Sequence, residues 1–274
     1  MSAARSLVRR HPMLAFTALA CLFGWGSYFF AAAGVGTHPD NMPLGPLLAA
    51  LVVTAGQGRV ELRRWGRALR GWRIDPRWYV AVVLVPIAVH LMDVAINHLF
   101  GAPLPTAAQW AGWAEVPGNF LFMLVLVGIG EEAGWTAFAA PLLLRRHSLL
   151  VSWVVLASAR ILWHLPLMLS GEMPWVVGIL GNAGFELVVL TMFCRTSGAW
   201  PLAAVWHASL NAFGGLFVFQ MVTGDDQARL GLLLGLAYVT LGVAMALLSR
   251  ASVTASPAMA GRRDAAAHPV GRNG

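Results

Sequence analysis

Long runs of apolar residues are the feature that most restricts how this chain can fold. Several of them reach or exceed the roughly 18 residues that indicate a transmembrane helix. Because the runs are continuously apolar rather than alternating, they favour helices over a membrane barrel. The sequence predicts an all-α bundle of about eight transmembrane helices around a polar cavity. The candidate spans cover about residues 13–33, 42–57, 79–99, 119–144, 148–169, 175–193, 198–222 and 230–248.

The charges support membrane insertion and predict its direction. Only 11% of the residues are charged, against about 25% in soluble domains. Every basic residue is Arg, and the arginines concentrate before the first run, in the loop at 59–77, after the fourth and sixth runs, and in the tail. By the positive-inside rule, both termini are predicted to be cytoplasmic. The lipid bilayer is the expected partner; nucleic acid is not, because no aromatic-basic binding pattern accompanies the arginine loop.

We predict one domain. The membrane bundle is assigned to residues 1–250, with the residues of functional interest at about 119–222. Residues 251–274, rich in Ala, Gly and Arg, are predicted to form a disordered cytoplasmic tail.

Two adjacent glutamates, Glu131 and Glu132, interrupt the fourth run at membrane depth. Insertion scales give a cost of roughly 2.5–3.5 kcal/mol for Asp at a helix centre, so such residues are rare and often mark function. Later runs carry His164 and the pair His207 and Asn211, which share a helix face at i, i+4. Taken singly, each group could instead serve as an ion pair or hydrogen bond between helices. Together they predict a hydrolytic site inside the membrane.

Other polar residues within the runs are weaker candidates. His90, Asp93 and Asn97 follow one another along the third run and predict either a cavity-facing stripe or, as we favour, a self-satisfied His–Asp pair. Glu186, on the sixth run, is expected to line the cavity.

Three segments of the sequence resemble the motifs of the CPBP family in order and relative spacing. This family contains the type II CAAX prenyl endopeptidases and the bacteriocin-processing and immunity (Abi) proteins. The segments are Glu131-Glu132-Ala133-Gly134-Trp135-Thr136, Trp163-His164-Leu165-Pro166 and Trp206-His207-Ala208-Ser209-Leu210-Asn211. The resemblance implies an integral protein of a bacterial plasma membrane, with eight helices around a water-filled cavity.

Two positions depart from the family pattern. Thr136 stands where the family has Arg, and Arg160 stands where it usually has an aromatic residue four positions before the histidine. We expect Arg160 to reach across from the fifth run and pair with Glu132. The alternatives are that Arg160 pairs with Glu186 or extends to the membrane interface.

The resemblance implies an intramembrane endopeptidase that cleaves a peptide or membrane-protein substrate near the membrane surface. Glu131 would be the general base, with His164 holding the same water, His207 and Asn211 stabilising the oxyanion, and Glu132 orienting them. The cofactor is open: Glu131, His164 and His207 could bind zinc, or no metal is needed. Two alternatives are a catalytically inactive immunity or chaperone homologue and a proton- or ion-coupled transporter.

Overall fold

The computed structural model describes residues 8–35 and 41–253, with side chains described up to residue 249. Within these ranges the chain is helical and contains no strand, which confirms the all-α class. The predicted disordered tail lies almost entirely outside the described residues. The helices are α1 Pro12–Gly24, α2 Gly26–Ala32, α3 Gly45–Gln57, α4 Arg59–Ala68, α5 Pro76–Leu99, α6 Ala107–Leu144, α7 Leu149–Trp163, α8 Leu165–Ser170, α9 Val177–Arg195, α10 Trp200–Met221 and α11 Gly224–Val253.

The predicted count of eight membrane spans is not confirmed. Five described helices, α5, α6, α9, α10 and α11, are long and apolar enough to cross a bilayer. A sixth span forms if α1 and α2 are counted together, although they are bent by 49°. The apolar helices α3 and α7 have only 13 and 15 residues, fewer than the roughly 17–25 of a typical span. The chain is therefore an integral membrane bundle with five or six full-length spans in its described part.

Two apolar cores hold the bundle together on either side of the glutamates. One joins α1, α3, α6 and α7 and contains Phe16 and Trp135, whose rings meet edge to face with 5.0 Å between centroids. The other joins α5, α9, α10 and α11 around Val188 and Tyr238. Buried aromatic packing of this kind fixes the helices that carry the polar residues.

Close backbone contacts fix the position of α6 between its neighbours. A Cβ atom at Gly134 would collide with the carbonyl group of Pro46 in the first turn of α3. A Cβ atom at Gly128 would collide with the carbonyl oxygen of Ala204 in α10. Because only glycine permits both approaches, these two residues set the depth and rotation of the segment that carries the glutamates.

Helix irregularities occur where the polar residues lie. π-helical turns at Leu124–Ile129 and Trp135–Ala139 flank the glutamate segment of α6. Another spans Leu210–Val218 in α10, at Asn211, and a fourth opens α9 at Val177–Gly181. π-turns are uncommon and are frequently found at functional sites.

Candidate active site

A cavity of about 460 Å³ lies between α6, the α7–α8 junction, α9, α10 and α11. Four of the residues selected from the sequence line it: Glu131, His164, His207 and Asn211. They come from three separate parts of the chain. The structure thus brings the carboxylate, both imidazoles and the amide to the surface of one cavity, where they can act on one bound molecule.

The two glutamates face different surroundings. Glu131 lines the cavity and is 4% exposed, whereas Glu132 is completely buried and does not line it. Neighbouring residues of an α-helix point about 100° apart, which accounts for the difference. Of the pair, Glu131 is therefore the carboxylate that a molecule in the cavity can reach.

Arg160, completely buried on α7, lies at the centre of the ionic contacts behind the cavity. Its guanidinium nitrogens lie 3.3 Å from Glu131, 3.0 Å from Glu132 and 2.9 Å from Glu186. The expected pair with Glu132 is confirmed, and the alternative pair with Glu186 is present as well. Extension of Arg160 to the membrane interface is wrong, because three buried carboxylates hold it in the interior.

Glu186 does not line the cavity, contrary to expectation. It is completely buried and accepts a hydrogen bond from Nε of Arg160. The guanidinium carbon of Arg160 also lies over the rings of Phe185 and Trp135, 4.9 and 5.3 Å from their centroids. Glu186 therefore supports Arg160 rather than a bound molecule, since the arginine occupies the space in front of it.

Thr136 replaces part of what the missing family arginine would do. Its hydroxyl donates a short hydrogen bond to Oε2 of Glu132, one helical turn earlier. Glu132 also accepts from Arg160 and lies 2.9 Å from Nδ1 of His207. Glu132 is thus held from three sides, which suits an orienting residue better than a mobile base.

Both histidines have their Nδ1 atoms engaged. Nδ1 of His164 lies 2.9 Å from the carbonyl oxygen of Arg160. A carbonyl only accepts, so the contact assigns the hydrogen to Nδ1 and leaves Nε2 for the cavity. Nδ1 of His207 likewise faces Glu132. A carboxylate that orients an imidazole through Nδ1 is a recurrent arrangement in catalytic sites.

A break in the helix places His164 at the cavity. Helix α7 ends at Trp163, and His164 has backbone angles of φ −83° and ψ −3° at the junction with α8. Pro166 cannot donate to the preceding turn, so it favours the break here. The carbonyl of Trp163 is satisfied instead by Trp25 and Asn41, each 2.9 Å away.

The polar stripe of α5 does not belong to the cavity. His90, Asp93 and Asn97 are buried but do not line it. The favoured His90–Asp93 pair is wrong: Nδ1 of His90 lies 2.7 Å from the carbonyl of Pro86 on its own helix. Asn97 contacts Arg229 and the backbone of Asp226 at the start of α11.

Three further polar residues line the cavity: Asn41, Asn182 and Tyr238. Asn182 directly follows the π-turn at Val177–Gly181, and in the sequence it shares a face of the sixth run with Glu186. The sequence did not indicate Asn41 or Tyr238 as cavity residues. Asn41 lies outside the apolar runs, and a single tyrosine within a run, such as Tyr238, is common.

A metal ion does not fit the acidic cluster as it is arranged. The donor atoms of Glu131, Glu132 and His207 lie within 4.8 Å of one another. Arg160, however, contacts both carboxylates within 3.3 Å, and a second permanent cation there would be repelled. His164 does not join this set among the described residues. We therefore derive no step through a metal.

Residues 113–213 match the family described as type II CAAX prenyl endopeptidase Rce1-like. The matched region contains all three motifs and supports the resemblance predicted from them. Among curated proteins, none matches the sequence significantly.

Proposed function

We propose that this Rce1-like membrane protein is an intramembrane endopeptidase that hydrolyses a peptide bond near the membrane surface, using water activated by Glu131 and His164. One observation carries the proposal: Glu131, His164, His207 and Asn211 line a single cavity, while Arg160 contacts Glu131, Glu132 and Glu186 behind it. A structural ion-pair network alone would not need a carboxylate and two imidazoles on the surface of one cavity.

The first step is removal of a proton from water. Glu131 accepts this proton as general base, and Nε2 of His164 accepts a hydrogen bond from the same water, since its Nδ1 donates to Arg160. The resulting hydroxide attacks the carbonyl carbon of the peptide. Glu131 then returns the proton to the leaving amine, so the base regenerates at the end of the reaction.

The second requirement is stabilisation of the tetrahedral oxyanion. His207 and Asn211 supply donors from adjacent turns of α10. Nδ1 of His207 faces Glu132, which orients the ring as a buried carboxylate orients the imidazole of hydrolytic triads.

The test compares wild type and Glu131→Gln in proteoliposomes, with fluorogenic peptides tethered close to the membrane surface. Glu131→Gln keeps the shape and removes the base, so turnover should fall at least ~100-fold. Glu172→Gln, an exposed glutamate in the α8–α9 connection, is the matched control and should keep turnover.

Near-normal turnover by Glu131→Gln would remove this residue from the mechanism. If neither protein cleaves any tethered peptide, the inactive-homologue alternative is favoured instead.

A further inference from the structure

A second cavity, of about 640 Å³, is lined in part by α4. It shares no lining residue with the catalytic cavity. Its walls come from the start of α1, the end of α3, α4 and the end of α6. These are the ends that the arginine distribution assigns to the cytoplasmic side of the membrane.

The lining of this cavity is strongly basic. It contains Arg9, Arg64, Arg145 and Arg146 but a single acid, Glu61. Arg64 is paired with Glu61 at 2.8 Å, whereas the other three arginines form no ion pair with an acid of the described residues. The rim therefore carries a net positive charge from three different segments.

The unpaired arginines keep donors available. Arg9 gives one contact to the carbonyl of Gln57 (3.0 Å), and Arg145 gives one to the carbonyl of Pro141 (2.9 Å). A guanidinium has five N–H donors in a planar fork, which matches the oxygens of a phosphate. Each of these contacts holds the side chain in place and leaves most of its donors unused.

The floor of the cavity is aromatic. Trp65, Phe138 and Trp200 line it and are 7%, 7% and 2% exposed. A free phosphate ion has no apolar part that could pack on these rings, whereas a phospholipid carries glycerol and acyl chains next to its phosphate. Tryptophan is also typical of the level where headgroups meet the acyl region.

We propose that this cavity binds the phosphate headgroup of one anionic phospholipid of the cytoplasmic leaflet. Arg9, Arg145 and Arg146 contact the phosphate, and the glycerol end of the lipid rests on the three aromatic rings. The anionic charge of that leaflet attracts arginine-rich segments in general. In this cavity, arginines from separate segments of the chain can contact a single lipid molecule.

The cavity is joined directly to the glutamate segment. Nε1 of Trp65 donates to the carbonyl of Ala133, 2.9 Å away and one residue after Glu132. Nε1 of Trp200 donates to the carbonyl of Ala68 and fixes the last residue of α4. A lipid that orders α4 therefore also orders the turn of α6 that carries the glutamates. This consequence for activity rests on the proposed function, whereas binding itself does not.

The test titrates the purified full-length protein in detergent with short-chain phosphatidylglycerol and follows complexes by native mass spectrometry. Phosphatidylglycerol should bind more tightly than phosphatidylcholine. Arg145→Gln/Arg146→Gln should weaken phosphatidylglycerol about 25-fold, from about fivefold for each arginine near the headgroup. Arg70→Gln/Arg73→Gln removes the same charge from exposed positions outside the cavity and should change binding less than twofold.

If both double variants lose the same amount of phosphatidylglycerol affinity, the proposed site is wrong. The lipid is then attracted only by the general positive charge of the protein surface. Displacement of phosphatidylglycerol by an equal concentration of inorganic phosphate would overturn the lipid as its ligand. A second arm measures peptide cleavage: phosphatidylglycerol should stimulate the control double variant and not the cavity double variant. If wild type cleaves no peptide, the proposed function fails, and the binding titration alone decides the lipid site.

Discussion

Two sets of polar residues are buried in this bundle, and they are held in opposite ways. Around Arg160, charged groups from α6, α7 and α9 pair with one another behind a cavity. Along α5, His90 bonds to its own helix, and Asn97 bonds to the start of α11. Polar residues at membrane depth thus indicate a candidate site when they come from several helices and lie around the same cavity. Polar residues that bond within their own helix or to one neighbouring helix, away from the cavity, are more simply structural.

The largest effect expected from this comparison concerns Arg160. Arg160→Met would leave three buried carboxylates without their cation, a loss of about 3–5 kcal/mol for a broken buried pair. The melting temperature in detergent should fall sharply. Arg229→Met, which removes a partly exposed arginine from the other set, should cost at most about 1 kcal/mol.

The family pattern gives a second variant that sharpens this test. Arg160→Phe with Thr136→Arg restores a cation beside Glu132 and should recover part of the lost stability. Recovery should be incomplete, because the double variant still lacks the contact that Arg160 makes with Glu186 on α9. A melting temperature for Arg160→Phe equal to wild type would break the comparison, since the network would then be dispensable.

His207 and Asn211 should show the next largest effect, on turnover. If they stabilise the oxyanion, His207→Ala and Asn211→Ala should each lower kcat by about 10²–10³, with a smaller effect on KM. If they only join helices, the same variants should melt earlier and keep normal turnover per folded molecule. Kinetics and melting curves on the same preparations distinguish the two roles.

A smaller effect is expected for the second set of residues. Asp93→Asn keeps the size of a residue that does not line the candidate active-site cavity. Turnover should stay within about threefold of wild type, against the ~100-fold loss for a general base. A loss comparable to that of Glu131→Gln would show that the α5 residues take part in catalysis and that local bonding does not identify structural groups.

The smallest change is expected from chelation. Because Arg160 competes with a metal for the carboxylates of Glu131 and Glu132, peptide cleavage should change less than twofold after dialysis against EDTA. Restoration of a lost activity by added zinc would overturn this expectation. It would also require Arg160 to move away from the carboxylates in the active form.

Much of this arrangement could be predicted because it depends on local sequence. Apolar runs identify the helical class, and the three motifs identify Glu131, His164, His207 and Asn211. The family pattern has an arginine at position 136, whereas this chain has Thr136 and an arginine at position 160. That difference predicted the contact of Arg160 with Glu132. These inferences need only spacing and the cost of an unpaired charge in a membrane.

The remainder depends on packing between distant segments. Whether a run becomes a full span is decided by where its helix ends: in the run at 42–57 the helix starts only at Gly45. The position of Glu186 behind Arg160 depends on how α9 is rotated against α7. The π-turns beside Glu131 and Asn211 likewise have no signature in composition.

The charges around Arg160 also impose an order on biogenesis. Helix α6 leaves the ribosome first with two carboxylates, α7 follows with the guanidinium, and α9 brings the third carboxylate last. Each charged group alone costs roughly 2.5–3.5 kcal/mol to insert, so each of these helices enters lipid at a lower cost when its charge is paired. We infer that α6, α7 and α9 leave the insertion machinery as a group, after the nascent chain has been synthesised beyond Arg195. The pairing of Arg160 with the carboxylates of α6 and α9 would then be the step at which these helices enter the bilayer.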